Sequence, residues 1–512
     1  MIEYVCHGDR ATPPHGSLFQ VSHHPKEEIV MKVSKETAIA ELKKIVGEDR
    51  VITDPEVLKN ADVLNRSYAK AFGVYATPPA LCVVNAKDTE EVSKVLSYCN
   101  DQLISVIPRT GASGGEALLE TVNDTTVFLD GSLMNGILKI DEDNMMVTAR
   151  CGTPLRVIEE TVNSKGYTTG HAPQSLPMAD IGGLVATRSI GQFSTYYGGI
   201  EDLICGMEGV LPNGHIFRIR NVPRRSSGPD LRHILMGSEG GLGFITEVTM
   251  KLFPYHPEDR WYGGYKMKNM HEGFKALRAI ITAGYKPSVV RLYDKTDMDY
   301  NFGSVQMEDE EAFMFFVCEG PAGVVKATGD AIHEIALAHG GNYIGTEAVK
   351  HWMIHRNDLC NSYSGDQRYV KFRETQTMYS TTEISASWTD IVKIYDDVIA
   401  NVPQKCEHLV MLGGHVSHSY INGTNIYFVY RIKMPNPEEA DAIHTQVVHA
   451  ICEEVLKYET GGCVHHHGMG KRRVQMAPKE HGTSYELMKI MKKAYDPNGI
   501  MNPGVLVMQE EK

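Results

Sequence analysis

Apolar positions along this chain recur at two different periods, and the switching between them is the first structural signal. TAIAELKKIV, from Thr37 to Val46, has its apolar residues at helical spacing, with a threonine near its start able to cap it. LCVVNA from Leu81 is a short apolar run between turn-prone residues, a strand. TEEVSKVLSYCN from Thr89 returns to helical spacing behind a capping-type threonine. ISVIP (Ile104 to Pro108) is a strand running into a glycine-rich turn. TVFLD and NMMVTARCG are further strands, and PLRVIEETVNSKG is a helix opened by Pro154. Beyond about Tyr262 the units lengthen: MHEGFKALRAIITAG and AGVVKATGDAIHEIALAHGG predict helices, with strands at SVVRLYD and AFMFFVCEG. A last helix, YELMKIMKKAYDPNG, precedes an extended tail, and the first thirty or so residues form a polar arm rich in His and Pro. Short strands interleaved with helices predict an α/β or α+β protein.

Composition narrows the function classes. At 512 residues and 42% apolar, the chain is long enough for two or three domains with their own cores. A net charge of −13 repels polyanions, so nucleic acid is not the expected partner. No apolar run approaches the roughly 18 residues of a membrane span, and MIEYVCHGDRATPPHG lacks the apolar stretch of a signal peptide. The ten cysteines form no CxxC pair, which argues against a disulfide scaffold, a zinc ribbon or an iron–sulfur cluster. A soluble cytoplasmic protein with reduced thiols is expected.

The candidate chemistry lies in glycine-rich turns. Neither a GxGxxG Rossmann fingerprint nor a Walker A loop is present. Pro108-Arg109-Thr110-Gly111-Ala112-Ser113-Gly114-Gly115 follows a strand directly, and its small residues let successive backbone N–H groups cradle a pyrophosphate, or else form a tight structural turn. Ile181-Gly182-Gly183 and GSEGGLGFITE (Gly237 to Glu247) are two more such segments. Three of them in one half suggest a long ligand threaded through loops, and a dinucleotide flavin has that length.

PRTGASGG, the IGG segment, Glu201-Asp202-Leu203, GSEGGLGFITE and YDPNGIMNPG together resemble the vanillyl-alcohol oxidase / p-cresol methylhydroxylase flavoproteins, from about residue 37 to 508. Within that superfamily VPRRSSGPDLRHILMGSEGGLG, SVVRLYD, SHSYINGTNIYF and VHHHGMGKRR look most like the alkyldihydroxyacetonephosphate synthases. The resemblance implies an α+β fold: a PCMH-type FAD-binding domain of two α+β subdomains over 37–260, and an α/β cap with an antiparallel sheet over 261–482. A polar arm over 1–36 precedes them, and residues 483–512 return to the FAD domain. It implies FAD contacts at Pro108, Arg109, Thr110, Gly111, Ala112, Ser113, Gly114 and Gly115, and at Gln174, Ser175, Leu176, Asp180, Gly182, Gly183, Thr187, Ser189, Glu239, Gly240, Gly243 and Ile245. It places Tyr420 on the family's catalytic tyrosine, His465, His466 and His467 on its histidine run, and Arg291 on an arginine that handles the substrate's phosphate. Members that tether FAD from the pyrophosphate loop use a histidine there; Thr110 and Ala112 stand in that loop, so FAD is expected to be non-covalent.

These residue types have chemistry of their own. A tyrosine beside a flavin can take or give a proton, or it is a half-buried strand residue. The three histidines suit acid/base work near neutrality, a metal, or a solvated loop; no third well-spaced ligand is visible, and no metal is assigned. Lys471 beside them favours an anionic partner, as a substrate-binding residue, or belongs to a basic turn. Arg291, alone in an apolar strand, needs a partner: an anionic substrate group, or a carboxylate such as Asp294. The metal pattern GHxGDGNxH with Glu-His-Gly, usual in the 2-hydroxy-acid dehydrogenases of the superfamily, is broken by Tyr427 and by His466-His467-Gly468. Gly241 replaces the usual threonine of the synthases' GSEGTLG, and the chain lacks their long N-terminal extension and a peroxisomal ending. The expected function is FAD-dependent oxidation of a hydroxyl-bearing, anionic small molecule by hydride transfer to flavin N5. Redox-neutral acyl-to-alkyl exchange through a flavin adduct is the alternative. The electron acceptor is open, and a homodimer is expected.

Overall fold

A computed structural model describes residues 30–61, 68–75, 77–302, 305–361 and 366–508. The expected N-terminal arm falls mostly on residues 1–29, outside the described residues. The first helix is Lys35–Val46, and it buries Ala38, Leu42 and Val46. Its cap is Ser34, whose hydroxyl accepts from the Thr37 amide, so the helix starts two residues before the expected Thr37. The expected threonine cap at Thr89 is likewise displaced by one residue. Asp88 accepts from the Glu91 amide, and the Thr89 hydroxyl donates to Glu208.

Three larger sheets carry the described residues, beside a two-stranded pair of Tyr167–Thr168 with Phe253–Pro254. The first has four strands in the order Val51–Ile52, Cys82–Asn85, Val127–Asp130, Val106–Arg109, the last three mutually parallel and the first antiparallel. The second has five antiparallel strands in the order Ile137–Asp141, Met146–Arg150, Phe244–Lys251, Ile204–Val210, Ile216–Ile219. The third has eight strands. Seven run in the order Asn342–Gly345, Trp261–Met267, Ala312–Cys318, Val289–Tyr293, Leu409–Val416, Gly423–Lys433, Thr377–Ser387, and Ser419–Tyr420 pairs onto the sixth. Helices and antiparallel sheets in this proportion make an α+β protein, as expected.

The continuous apolar run AFMFFVC has a plain cause: both faces of the large sheet are buried. Met314 and Phe316 point into one core with the helices Met270–Thr282 and Ala322–Ala338, while Phe313, Phe315 and Val317 point into a second core shared with the five-stranded sheet. The helix Tyr485–Tyr495 leads the chain back to the first sheet, where Met501 bridges Val106 in parallel and Ile500 and Met501 enter that sheet's core.

Candidate active site between the glycine-rich loops and the large sheet

A cavity of about 470 Å³ runs from the glycine-rich loops to one face of the eight-stranded sheet. Every expected cofactor position borders it except Leu176. The loop after Val106–Arg109 is fixed from behind: Arg109 donates from Nε to Asp130 at 2.6 Å, also bonds the Ala61 carbonyl, and lies over Phe128. Its charge therefore anchors the loop to the first sheet. Gly111 is pressed so close to the neighbouring segment that a Cβ there would lie 2.6 Å from the Asp180 amide nitrogen and 2.8 Å from the Met178 carbonyl. Ala112 next to it takes φ of 52°, and the Thr110 hydroxyl is buried without a hydrogen-bond partner. A close-packed backbone cradle with an orphaned hydroxyl bordering a long cavity fits a dinucleotide pyrophosphate. Gly182 packs on Cys151, where a Cβ would lie 2.6 Å from that side chain, and the Gly183 carbonyl accepts from the Thr187 hydroxyl. Ser189 bonds His171, an imidazole held neutral by burial, its pKa pushed down to about 3. Burial, with Asp130 nearby, raises Asp180 to about 7.

The sheet side is set by register. Tyr293 lies opposite His415, and His415 opposite Tyr427; Val429 lies opposite Thr381. Side chains two apart on a strand share a face, so Arg291, Tyr293, His415, Ser417, Tyr427 and Tyr379 all meet the cavity. Arg291 is 4% exposed. Its Nη1 donates to the carbonyls of Ser417 (2.9 Å) and Val290 (3.2 Å), its guanidinium lies 5.0 Å over Trp352, and its Nε is buried without a partner. Asp294 is not its counterion, because that carboxylate accepts from Tyr395, from the Gly414 amide and from the Asp297 amide. Arg356, at the end of the helix Glu347–His355, also borders the cavity with its Nε buried and unpartnered.

The histidine run is suspended from buried ions. Arg473 is fully buried and pairs with Glu116 (3.0 Å) and Glu383 (2.9 Å). Glu383 also accepts from the His467 amide at 2.8 Å, the His466 amide at 3.2 Å and His467 Nδ1 at 2.7 Å; Arg473 and His467 hold this carboxylate well below the usual range against its burial. Glu239 accepts from the Met469 and Gly470 amides at 2.6 and 3.0 Å; burial nonetheless pushes it up to about 7. A hydrogen-bonded chain then runs outward. The Tyr427 hydroxyl meets His466 Nε2, His466 Nδ1 lies 2.8 Å from His465 Nδ1, and His465 Nε2 lies 2.7 Å from the Tyr420 hydroxyl. Burial holds His465 down at about 4 and His466 and His418 well below their ordinary value, so these imidazoles are neutral. His418, His465 and His466 have nitrogens within 4.8 Å of one another, the one three-histidine cluster of that kind among the described residues; two of the three share the Nδ1–Nδ1 hydrogen bond.

The expected site residues thus divide. His466, His467 and Arg291 border the cavity, whereas Tyr420, at 37% exposed, and His465 do not line it. Lys471 is turned away as well: its ammonium bonds the Leu118 carbonyl and Asn502, and burial lowers it to about 7. Sequence reasoning missed His415 with Asp297, the cavity-facing role of Tyr427, and the Glu116–Arg473–Glu383 clamp. Tyr427 had left a signal, as a phenol where a metal pattern carries histidine. The clamp had none, since its members lie 90 and 357 residues apart.

Comparison with known proteins agrees with this architecture. Residues 80–220 match the FAD binding domain family and residues 256–506 the FAD linked oxidases, C-terminal domain. The chain is 45% identical over 484 residues to the uncharacterized FAD-linked oxidoreductase YgcU of Escherichia coli O157:H7, covering 93% of this chain and 99% of that one. It is 26% identical over 456 residues to an alkyldihydroxyacetonephosphate synthase of Caenorhabditis elegans, covering 83% of this chain and 75% of the relative. A solved alkyldihydroxyacetonephosphate synthase superposes with a TM-score of 0.75 at 22% identity, covering 93% of this chain and 88% of that one, which shows a common fold. No described helix is long and apolar enough to cross a membrane. With the two family matches and the 45% identical relative in hand, the chain belongs to the FAD-linked oxidoreductases.

Proposed function

We propose that this enzyme oxidises a hydroxyl-bearing small molecule that carries an anionic group. The observation that carries the reading is Arg291: a buried guanidinium in the cavity wall with no carboxylate among the described residues to neutralise it. A charge so placed is costly unless an anion arrives to pair with it, and a planar fork suits a carboxylate or phosphate. Pro108–Gly115 and the segments around Asp180–Ser189 and Glu239–Ile245 would hold FAD, which when bound would supply a hydride acceptor; Thr110 and Ala112 in the loop support non-covalent binding. Arg291 fixes the substrate's anionic end against the sheet. Tyr427 offers a hydroxyl at the wall, backed by His466, His465 and Tyr420, along which a proton can pass outward. Tyr420 in this reading is the outer end of the proton path. Eight of the described cysteines, Cys360 aside, are free thiols, which supports a cytoplasmic setting, and a homodimer is the proposed assembly, to be checked by light scattering.

The second reading, redox-neutral acyl-to-alkyl exchange, is favoured by the synthase relative and by Tyr427 and His466 standing where the hydroxy-acid dehydrogenases carry a histidine and a glutamate as metal ligands. An anaerobic visible spectrum of the holoenzyme, titrated with hydroxy acids, polyols and phenols, decides between them. Bleaching of the flavin band by an anionic hydroxy compound supports oxidation. A band that no hydroxyl compound bleaches, but that acyl-dihydroxyacetone phosphate perturbs, overturns it in favour of exchange.

A further inference from the structure

We propose that Asp297 and His415 form a carboxylate–imidazole pair whose His415 Nε2 is the general base that takes the substrate's hydroxyl proton. This rests on the oxidation reading above and names the group that reading leaves open.

The pair is assembled by local sequence. Asp294 caps the helix Lys295–Asn301, accepting from the Asp297 amide at 2.9 Å, and the same carboxylate accepts from the Gly414 amide at 2.6 Å. Helix start and strand Leu409–Val416 are therefore locked together one residue before His415. Gly413 permits the approach: a Cβ there would lie 2.9 Å from Asp294 Oδ1 and from Thr296 Cβ, and 3.1 Å from the Asp297 amide. The fully buried Asp297 carboxylate then meets His415 Nδ1. A carboxylate only accepts, so Nδ1 carries a proton, and in the neutral ring it is Nε2 that holds the lone pair. His415 Nε2 makes no hydrogen bond to any described residue, and the ring borders the cavity. The ring plane is fixed by stacking: Tyr293 lies 4.7 Å away at 27° and Tyr427 4.9 Å away at 13°. Arg291 stands on the same sheet face, two residues along the strand from the Tyr293 that pairs with His415. An anion on Arg291 thus leaves the rest of a small substrate beside this imidazole.

Among the other imidazoles that border the cavity, His355 also has a carboxylate, Asp358, at 2.7 Å, but both side chains are about half exposed or more; His351 packs on His355, and His444 Nε2 meets Ser380 and Tyr430. His418 is bonded through Nδ1 to Ser194 at 2.7 Å, and His466 through both nitrogens to His465 and Tyr427. His467 has a carboxylate partner in Glu383, but that carboxylate also carries Arg473 and two backbone amides, so less of its charge is left for the ring. The step balances simply. The substrate O–H bond breaks and its proton goes to His415 Nε2; the C–H bond breaks and its two electrons leave with hydrogen as hydride to the bound oxidised FAD; a carbonyl forms. Asp297 stabilises the imidazolium by orientation and charge and is a positioning residue.

The test compares wild type, His415→Ala, Asp297→Asn and His467→Asn holoenzymes by anaerobic stopped-flow reduction with whichever compound bleaches the wild type. Loss of the base or of its orienting carboxylate is expected to slow reduction by roughly 10³- to 10⁴-fold with FAD content unchanged. Added imidazole is expected to restore part of the rate to His415→Ala alone, which a structural role does not give. In ¹⁵N-histidine NMR, one strongly deshielded Nδ1 proton should be present in wild type and missing from both His415→Ala and Asp297→Asn. Wild-type reduction rates in His415→Ala, absence of imidazole rescue, or a deficit confined to His467→Asn overturns the base role while the oxidation reading stands. A wild-type flavin that no hydroxyl compound reduces overturns the oxidation reading itself, and the base role with it.

Discussion

Replacing Arg291 with methionine tests the proposed anchor at its narrowest point. Methionine keeps an unbranched stem against Trp352 and removes only the charge and its donors. Two carbonyls, of Val290 and Ser417, lose the Nη1 donor, a cost of about 1–3 kcal/mol to stability that FAD content will report. The functional cost is larger. Nη1 is occupied by those carbonyls and Nε is buried without a partner, so a bound anion takes bonds from the edge of the fork that remains. Charged hydrogen bonds contribute about 1.5–3 kcal/mol each, so a bidentate pair lost amounts to about 3–6 kcal/mol. At about 1.4 kcal/mol per decade that is roughly 10²- to 10⁴-fold in kcat/KM. The assay pairs the anionic hydroxy compound that reduces the flavin with its neutral amide or methyl ester. Arg291→Met should lose those decades on the anion and stay within about threefold on the neutral partner. Equal losses on both, or none on the anion, would remove the anchor role and with it the main argument for an anionic substrate.

Three further expectations are open to direct measurement. Gly111→Ala places a Cβ 2.6 Å from the Asp180 amide and should displace the loop, seen as FAD loss in the 450 to 280 nm absorbance ratio; full FAD content would mean the loop is not the cradle. Tyr427→Phe removes the cavity end of the phenol–imidazole chain and Tyr420→Phe its outer end, so each should retain FAD and lose turnover by roughly 10²-fold; unchanged turnover in either takes that residue out of the proton path. Glu239 is raised from 4.5 to about 7 in the fold by burial, so its contribution to stability is present below about 4.5 and lost as pH rises through 7. Glu239→Gln should flatten the apoprotein's melting temperature over that window, and an unchanged slope would contradict the assignment.

How much of this was legible in the sequence depends on the range of the interactions. Strand and helix positions rest on local periodicity and were read to within a few residues, as for Met270–Thr282 and Val289–Tyr293. Caps were misread by one or a few residues at Ser34 and Asp88, because Ser, Thr and Asp at neighbouring positions are interchangeable in a pattern and only geometry chooses among them. The glycine loops were legible because only small residues tolerate such approaches. Tyr420 was assigned to the site by resemblance and Lys471 by its charge beside the histidine run, and neither lines the cavity. Facing was the missing information: Ser419–Tyr420 is a separate two-residue strand, so nothing in the alternation of its neighbours fixes where the phenol goes. His415 was visible as a residue but not as a base, since its partner comes from a helix 118 residues away.

The clamp at Arg473 also explains why the two halves of the site form together. Glu116 directly follows Gly115, the last residue of the flavin loop, and Glu383 lies on the large sheet beside the histidine run; one buried guanidinium joins them. Removing Arg473 leaves two buried carboxylates without their cation, a cost of about 3–5 kcal/mol, so the guanidinium is the member the arrangement depends on. Glu239 ties the Met469–Gly470 backbone to the segment that borders the cavity from the other side, and Lys471 and Asn502 both bond the Leu118 carbonyl three residues past Gly115. The loop that shapes the cofactor cradle and the loop that delivers the imidazoles are therefore mechanically one unit. A substitution that displaces the first therefore strains the second through these same bonds.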